Sequence, residues 1–86
     1  MNPMKYRCPC CGYYTFESRP DGSFDICPVC FWEDDGVQLD NEQYEGGANT
    51  VSLAQARVNY VNYGAVMKCL TEYTRKPYED EKSGID

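Results

Sequence analysis

Two short cysteine motifs constrain the fold of this chain more than any other feature. Residues 8–11 read CPCC and residues 27–30 read CPVC, so two Cys-Pro-x-Cys turns are separated by fifteen residues. In such a turn the first and fourth sulfurs point at one position, and two facing turns complete a tetrahedral site with metal–sulfur distances of about 2.3 Å. The spacing therefore predicts a metal centre with four ligands: Cys8, Cys11, Cys27 and Cys30.

The remaining cysteines are expected to lie outside this centre. Cys10 occupies the variable position of the first turn, and we interpret it as a spare thiol that points away from the metal. A thiol activated by the nearby cation, or one that replaces Cys11 on oxidation, stays open as an alternative. Gly12 suits a left-handed backbone after the first turn, whereas Phe31 at the equivalent position predicts a second turn of different construction. Cys69 is expected to be a small buried hydrophobe.

The ligand set limits the choice of metal. The chain contains no histidine, which excludes a site built with imidazole. Four thiolates close the coordination shell, as in structural zinc sites that hold no catalytic water. Zinc is therefore the expected cofactor. Iron is the alternative, because rubredoxins hold a single iron with similar Cys-Pro-x-Cys-Gly turns and ligand softness does not separate the two metals.

Length and context favour metal ligation over disulfides. A chain of 86 residues forms one small domain, whose core alone supplies only about 3–5 kcal/mol. Its first residues lack the apolar region of a signal peptide, and no apolar run approaches the roughly 20 residues that span a bilayer. We expect a cytoplasmic protein that does not bind membranes, in which cysteines hold metal rather than pair.

The charge distribution restricts the partner. The formal net charge is −6, and the segment up to Gln43 carries three basic against eight acidic residues. Nucleic-acid binding needs Lys and Arg on the surface near the site to neutralise phosphates. Direct binding to nucleic acid is therefore not expected, and the predicted partner is another protein.

Local patterns predict a small α+β metal-bound fold: zinc-ribbon-like N-terminal β-hairpins followed by a C-terminal amphipathic helix or a broken helix pair. Residues 13–16 and 24–26 are predicted strands on either side of a Pro-Asp-Gly turn. Ser52 and Gln55 form a capping-box pattern at the start of the helix, and Gly64 is expected to kink or end it. The domain covers residues 1–86. Its predicted parts are a zinc-ribbon-like part (5–35), an acidic Gly-containing loop (36–51), a helical part (52–76) and a flexible tail (77–86).

An acidic turn follows the second cysteine motif. Residues 33–35 read EDD, and we interpret them as a solvated turn, with a second metal site or an acid–base group as alternatives. Arg57 is predicted to pair with Asp34 or Asp35 and so to fasten the helix to the metal-binding part. Trp32 is expected in the core.

Three stretches together resemble the cysteine-rich CPCC family of small, mostly bacterial proteins: CPCCGYYTF, ICPVCFWEDDG and GGANTVSLAQARVNY. The similarity spans about residues 6–64. It implies a zinc-ribbon-like part followed by a helix and leaves the activity open. It also implies that Gly46 and Gly47 permit a close approach of the chain before the helix, and that Asn49 ties this loop down.

Three functions are compatible with these features. The favoured one is a non-enzymatic, zinc-binding interaction or regulatory module that binds a protein through an acidic face bearing Tyr60 and Tyr63. The first alternative is a redox protein, either rubredoxin-like or using Cys10 as a thiol switch. The second is a metal-dependent hydrolase or nuclease that uses the turn from Glu33 to Asp35. No catalytic residue is assigned.

Overall fold

The computed structural model describes residues 5–83 of the chain. Its elements, in chain order, are β1 (Tyr6–Arg7), β2 (Tyr14–Phe16), α1 (Gly36–Asp40), α2 (Leu53–Tyr63), a 3₁₀ helix (Lys68–Tyr73) and α3 (Glu79–Ser83). This arrangement confirms the predicted small α+β fold with N-terminal hairpins and a broken helical part.

The two cysteine turns lie in two hairpins of unequal regularity. β1 and β2 pair antiparallel, with Tyr6 opposite Phe16, and enclose the first turn. The second turn is flanked only by an isolated bridge between Ile26 and Glu33. The predicted strand over residues 24–26 is therefore wrong except at Ile26. Phe24 adopts a left-handed φ of 63°, because the turn before it is held by hydrogen bonds to the carboxylate of Asp34.

The main helix begins and ends where the sequence predicts. The Ser52 hydroxyl accepts a hydrogen bond from the backbone N–H of Gln55 at 3.1 Å, which caps the first turn of α2. The Gln55 side chain donates instead to Asn59, so only half of the capping box forms. Gly64 ends α2 with a left-handed φ of 83°, and the 3₁₀ helix follows as the second part of the broken pair.

The core forms around the cysteine turns. Trp32 is fully buried, as expected, and it belongs to the same cluster as Phe16, Leu53 and Val66. The expectation that Cys69 is buried is wrong: its side chain is exposed. A 3₁₀ helix has three residues per turn. Leu70 packs against the core from this helix, and its neighbour Cys69 consequently faces outward.

The loop before α2 is organised by buried polar side chains. Asn49 accepts from the backbone N–H of Glu33 and donates to the carbonyl of the same residue, both at 2.8 Å. A Cβ on Gly47 would lie 2.6 Å from Gln38 Cδ and 2.7 Å from Asp35 Oδ2. The close approach at Gly47 and the tie at Asn49, both implied by the resemblance, are confirmed.

The chain after the 3₁₀ helix folds back onto the hairpin. α3 contacts β2, and Glu81 is only 3% exposed. The Glu81 carboxylate accepts two hydrogen bonds from Arg75 at 2.8 Å and one from the backbone N–H of Tyr78. These contacts hold α3 in place, which opposes flexibility in that part of the predicted tail. Flexibility over residues 77–86 stays a prediction. Residues 84–86 lie outside the described part.

Asp35 supplies a prediction on pH dependence. Its Oδ1 caps α1 by accepting from Val37 and Gln38, and its Oδ2 accepts from Ala48 N at 2.8 Å. The bond from Ala48 is the largest cause that holds the pKa of Asp35 below its ordinary value of 3.8. In Asp35→Asn, an NH₂ group replaces one of the two accepting oxygens and faces a backbone N–H group. We expect a loss of about 1–2 kcal/mol in the free energy of unfolding at pH 7.

The pH profile follows from the direction of the pKa shift. A depressed folded-state pKa means that the Asp35 carboxylate stabilises the fold above its unfolded pKa and that this contribution is lost as pH falls. Urea unfolding should therefore show a gap between wild type and Asp35→Asn that narrows below about pH 4. The exposed Asp40, substituted by Asn, serves as the control and should show no gap. An equal gap at every pH would contradict the assignment.

Candidate metal centre

Four cysteine sulfurs converge at one place between the two hairpins. The Sγ atoms of the group lie within 4.8 Å of one another, and the group consists of Cys8, Cys11, Cys27 and Cys30. Two measured pairs are 3.5 Å apart (Cys8 and Cys30) and 3.8 Å apart (Cys11 and Cys27). A tetrahedral site with metal–sulfur bonds of about 2.3 Å separates its sulfurs by roughly 3.8 Å. None of the six cysteines is in a disulfide. This donor set fits a metal ion.

The two turns are built in the same way, which corrects the expectation of a different second turn. In each turn, the carbonyl of the first cysteine accepts a hydrogen bond from the N–H of the residue that follows the fourth position. The N–H of the first cysteine donates to the carbonyl of the next residue along the chain. The bonds are Gly12 N to Cys8 O (2.9 Å), Cys8 N to Tyr13 O (2.8 Å), Phe31 N to Cys27 O (2.8 Å) and Cys27 N to Trp32 O (2.9 Å). The hairpins thus present their cysteines in equivalent positions.

Phe31 takes the backbone conformation that glycine takes in the first turn. Its φ is 74°, against 80° at Gly12. A left-handed conformation is costly for a bulky residue and persists only when its surroundings compensate. The Phe31 ring packs against the ring of Tyr73 with centroids 5.7 Å apart, and it also contacts the core. These contacts explain why a phenylalanine is tolerated there.

Cys10 lies beside the group of four without belonging to it. Its side chain is 8% exposed and forms part of the core cluster. Interaction with Cys10 is the largest cause that raises the pKa of the Cys30 thiol. Cys10 is therefore a buried neighbour of the site rather than a surface thiol.

A threonine outside the group contacts a sulfur of the site directly. Thr15 Oγ1 lies 3.1 Å from Cys27 Sγ in a buried position. Hydrogen bonds lower the pKa of Cys27, first the one from Cys11, then those from Cys30 and Cys8, with a smaller contribution from Thr15. A hydroxyl that donates to a thiolate stabilises the charged form needed for metal binding. β2 supplies this hydroxyl, and Thr15 is a buried residue of that strand.

This contact yields a second prediction. Thr15→Val removes the hydroxyl at nearly constant volume, and we expect the apparent zinc affinity to fall about tenfold, the lower end for partners of metal ligands. Competition with a chromophoric chelator measures the change. Thr15→Ser keeps a hydroxyl and should retain most of the affinity. If Thr15→Val and Thr15→Ser weaken zinc binding equally, loss of the hydrogen bond is not the cause.

Two carboxylates of the acidic turn are engaged in holding the backbone. Asp34 Oδ2 accepts from the backbone N–H groups of residues 21–23 and from the Ser23 hydroxyl, each at 3.0 Å. Asp34 is 1% exposed, so a substrate cannot reach it. Asp35 caps α1. Among the three residues of the turn, Glu33 alone has a carboxylate without a hydrogen bond or ion pair to any residue in the range 5–83.

The predicted pairing of Arg57 with Asp34 or Asp35 is wrong. Arg57 Nε donates to the carbonyl of Pro9 at 2.9 Å, and its Nη1 lies 2.7 Å from Glu42 Oε1. Both oxygens of Asp35 already accept from backbone N–H groups, and Asp34 is buried with its Oδ2 bound to the backbone of residues 21–23. Arg57 still fastens α2 to the metal-binding part, but it does so through the first cysteine turn.

Comparison with known proteins agrees with this architecture. The family model of cysteine-rich CPCC proteins matches residues 6–81, which is most of the chain. A search of curated proteins found no match. No helix formed by residues 5–83 has the length and apolar character that crossing a membrane requires. By the extent of the family match, the chain belongs to the cysteine-rich CPCC family.

Proposed function

We propose that this chain is a small zinc-binding protein whose four-cysteine site is structural and whose surface binds another protein. The observation that carries the proposal is the group of four sulfurs, two pairs of which lie 3.5 and 3.8 Å apart. The proposed zinc ligands are Cys8, Cys11, Cys27 and Cys30. Four thiolates leave no coordination position for a water or a substrate, so the metal has no catalytic role in this proposal.

The contacts around the two turns support a structural role for the metal. Three segments from the C-terminal half hydrogen-bond to backbone carbonyls of the turns. These bonds are Arg57 Nε to Pro9 O (2.9 Å), Val66 N to Cys30 O (2.9 Å) and Arg75 N to Pro28 O (3.2 Å). The turns therefore form the centre onto which the helical part packs. An ion that joins them stabilises the whole fold, because binding of a structural metal is coupled to folding.

The surface supports a protein partner. The net charge of −6 disfavours nucleic acid. Tyrosine is enriched in protein interfaces, and several tyrosines here are exposed, namely Tyr6, Tyr44, Tyr63, Tyr73 and Tyr78. Tyr60 is half-buried, and desolvation raises its pKa, so Tyr63 is the better candidate of the two on α2. A reducing compartment such as the cytoplasm suits the site, because it keeps thiols free to bind metal.

The redox function is kept as a second candidate because of the position of Cys10. Cys10 belongs to the same buried cluster as the cysteine group, so an oxidisable thiol lies close to the metal ligands, and iron fits the same four sulfurs. A hydrolase is not favoured, since Asp34 and Asp35 bind backbone N–H groups and Asp34 is buried. Ferric iron in four thiolates absorbs visible light and zinc does not, so the colour of the purified protein separates the two metals.

Native mass spectrometry with elemental analysis tests the proposal. We expect one zinc ion per chain, no visible absorption, and loss of the dispersed NMR spectrum when a chelator removes the ion. Cys10→Ser should then change neither metal content nor fold. A folded protein that purifies without metal would refute the structural role, and bound iron would favour the redox candidate.

A further inference from the structure

A small pocket lies where the second cysteine turn meets the two segments on either side of α2. Its apolar wall includes Phe31, Val66, Met67 and Leu70. Glu33 and residues 48–50 complete the lining. We call it the Phe31 pocket. Its volume is about 180 Å³. Sites for drug-sized ligands and cofactors occupy about 300–1,000 Å³, so this pocket is suited to a single side chain rather than to a small molecule.

The walls of the pocket are held in place by the elements that form the metal centre. Val66 N donates to the carbonyl of Cys30, which fixes the segment after α2 against the second turn. Glu33 is held through both backbone groups by Asn49. The left-handed backbone at Phe31 sets the position of its ring, which Tyr73 supports from a neighbouring element. The pocket is therefore preformed.

The charge at the pocket is unbalanced. The Glu33 carboxylate has no ion pair or hydrogen bond within residues 5–83, and the chain as a whole carries −6. A cationic side chain with a long aliphatic stem matches both features. Lysine and arginine bury their methylene groups on apolar surfaces while the charged end reaches a polar group at the edge.

We propose, on the basis of the protein-binding function above, that the Phe31 pocket receives a lysine or arginine side chain of a partner protein. The stem of that side chain packs on Phe31, Val66 and Leu70, and its cationic group pairs with Glu33. The partner surface is therefore basic and complementary to the acidic charge of this chain.

A random dodecapeptide library selected against the zinc-loaded full chain provides the test. We expect the enriched peptides to contain a lysine or arginine. Its replacement by norleucine, which keeps the stem, should weaken binding about tenfold, and its replacement by glutamate should abolish detectable binding. Separate lysine and arginine peptides show which of the two is preferred. Resonances of Phe31, Val66 and Leu70 should shift on binding.

Two matched variants distinguish a specific ion pair in the pocket from general attraction between opposite net charges. Glu33→Gln and Glu45→Gln remove the same charge, but only Glu33 lines the pocket. We expect Glu33→Gln to weaken peptide binding about tenfold and Glu45→Gln to leave it nearly unchanged. Both variants should keep the zinc content and the NMR spectrum of the wild type.

Several results would overturn the inference: no binder at all, binders without a basic anchor, equal effects of the two variants, or a second copy of the chain occupying the pocket. Binders that map to another face would overturn the inference alone and leave the protein-binding function standing. Absence of zinc from the purified protein would instead refute the proposed function.

Discussion

Cys27→Ser is expected to abolish zinc binding and to leave the chain without its folded core. Cys27 Sγ is buried, lies 3.8 Å from Cys11 Sγ and receives the Thr15 hydroxyl at 3.1 Å. Apparent zinc binding contributes about 10–16 kcal/mol in small zinc domains, whereas a core of this size contributes about 3–5 kcal/mol. Loss of one thiolate therefore outweighs the remaining stability. Elemental analysis and the NMR spectrum report the two losses.

Cys10→Ser is the matched control, because it makes the same sulfur-to-oxygen replacement in the first cysteine turn. Cys10 lies outside the group of four, so this variant should keep one zinc ion per chain and a folded spectrum. Cys8→Ser should behave like Cys27→Ser. If Cys10→Ser loses the ion while Cys11→Ser keeps it, the ligand assignment is wrong.

The cysteine group could be predicted from sequence because each half is local. A Cys-Pro-x-Cys turn brings its first and fourth residues together within four positions, and only the facing of two turns depends on the fold. Phe31 shows the limit of this reasoning. Glycine is expected after such a turn because the left-handed backbone conformation there is costly for other residues. That expectation does not include the contact with Tyr73, which lies far along the chain.

The polar contacts around the site could not be predicted in the same way. Asp34 binds backbone groups 11 to 13 residues away, and Arg57 reaches a carbonyl 48 residues away. Such partners depend on which acceptor the fold brings near, and charge alone suggested Asp34 or Asp35 as the partner of Arg57. The sequence shows that this segment is acidic, but only the structure shows what its carboxylates bind.

Gln38 is the clearest residue that sequence reasoning missed, because a glutamine in an acidic segment gives no signal of burial. Its side chain is 0% exposed. The two N–H groups of Nε2 are shared among the carbonyls of Tyr44, Asn49 and Val51, which lie 3.0–3.2 Å away. Oε1 accepts from the backbone and the side chain of Asn49. Gln38 thereby connects α1 to the loop that leads into α2.

Gln38→Ala should therefore be among the most destabilising substitutions outside the cysteine group. It removes the partners of buried carbonyl and N–H groups, each costing about 1–3 kcal/mol when unsatisfied, and it opens a cavity beside Gly47. Because water can satisfy part of the loss, we expect about 3–4 kcal/mol, measured by urea unfolding at saturating zinc. Gln43→Ala is the matched control at an exposed position and should stay within about 0.5 kcal/mol of wild type. Equal destabilisation by both substitutions would show that the loop gains its stability elsewhere, and the tie between α1 and α2 through Gln38 would have to be abandoned.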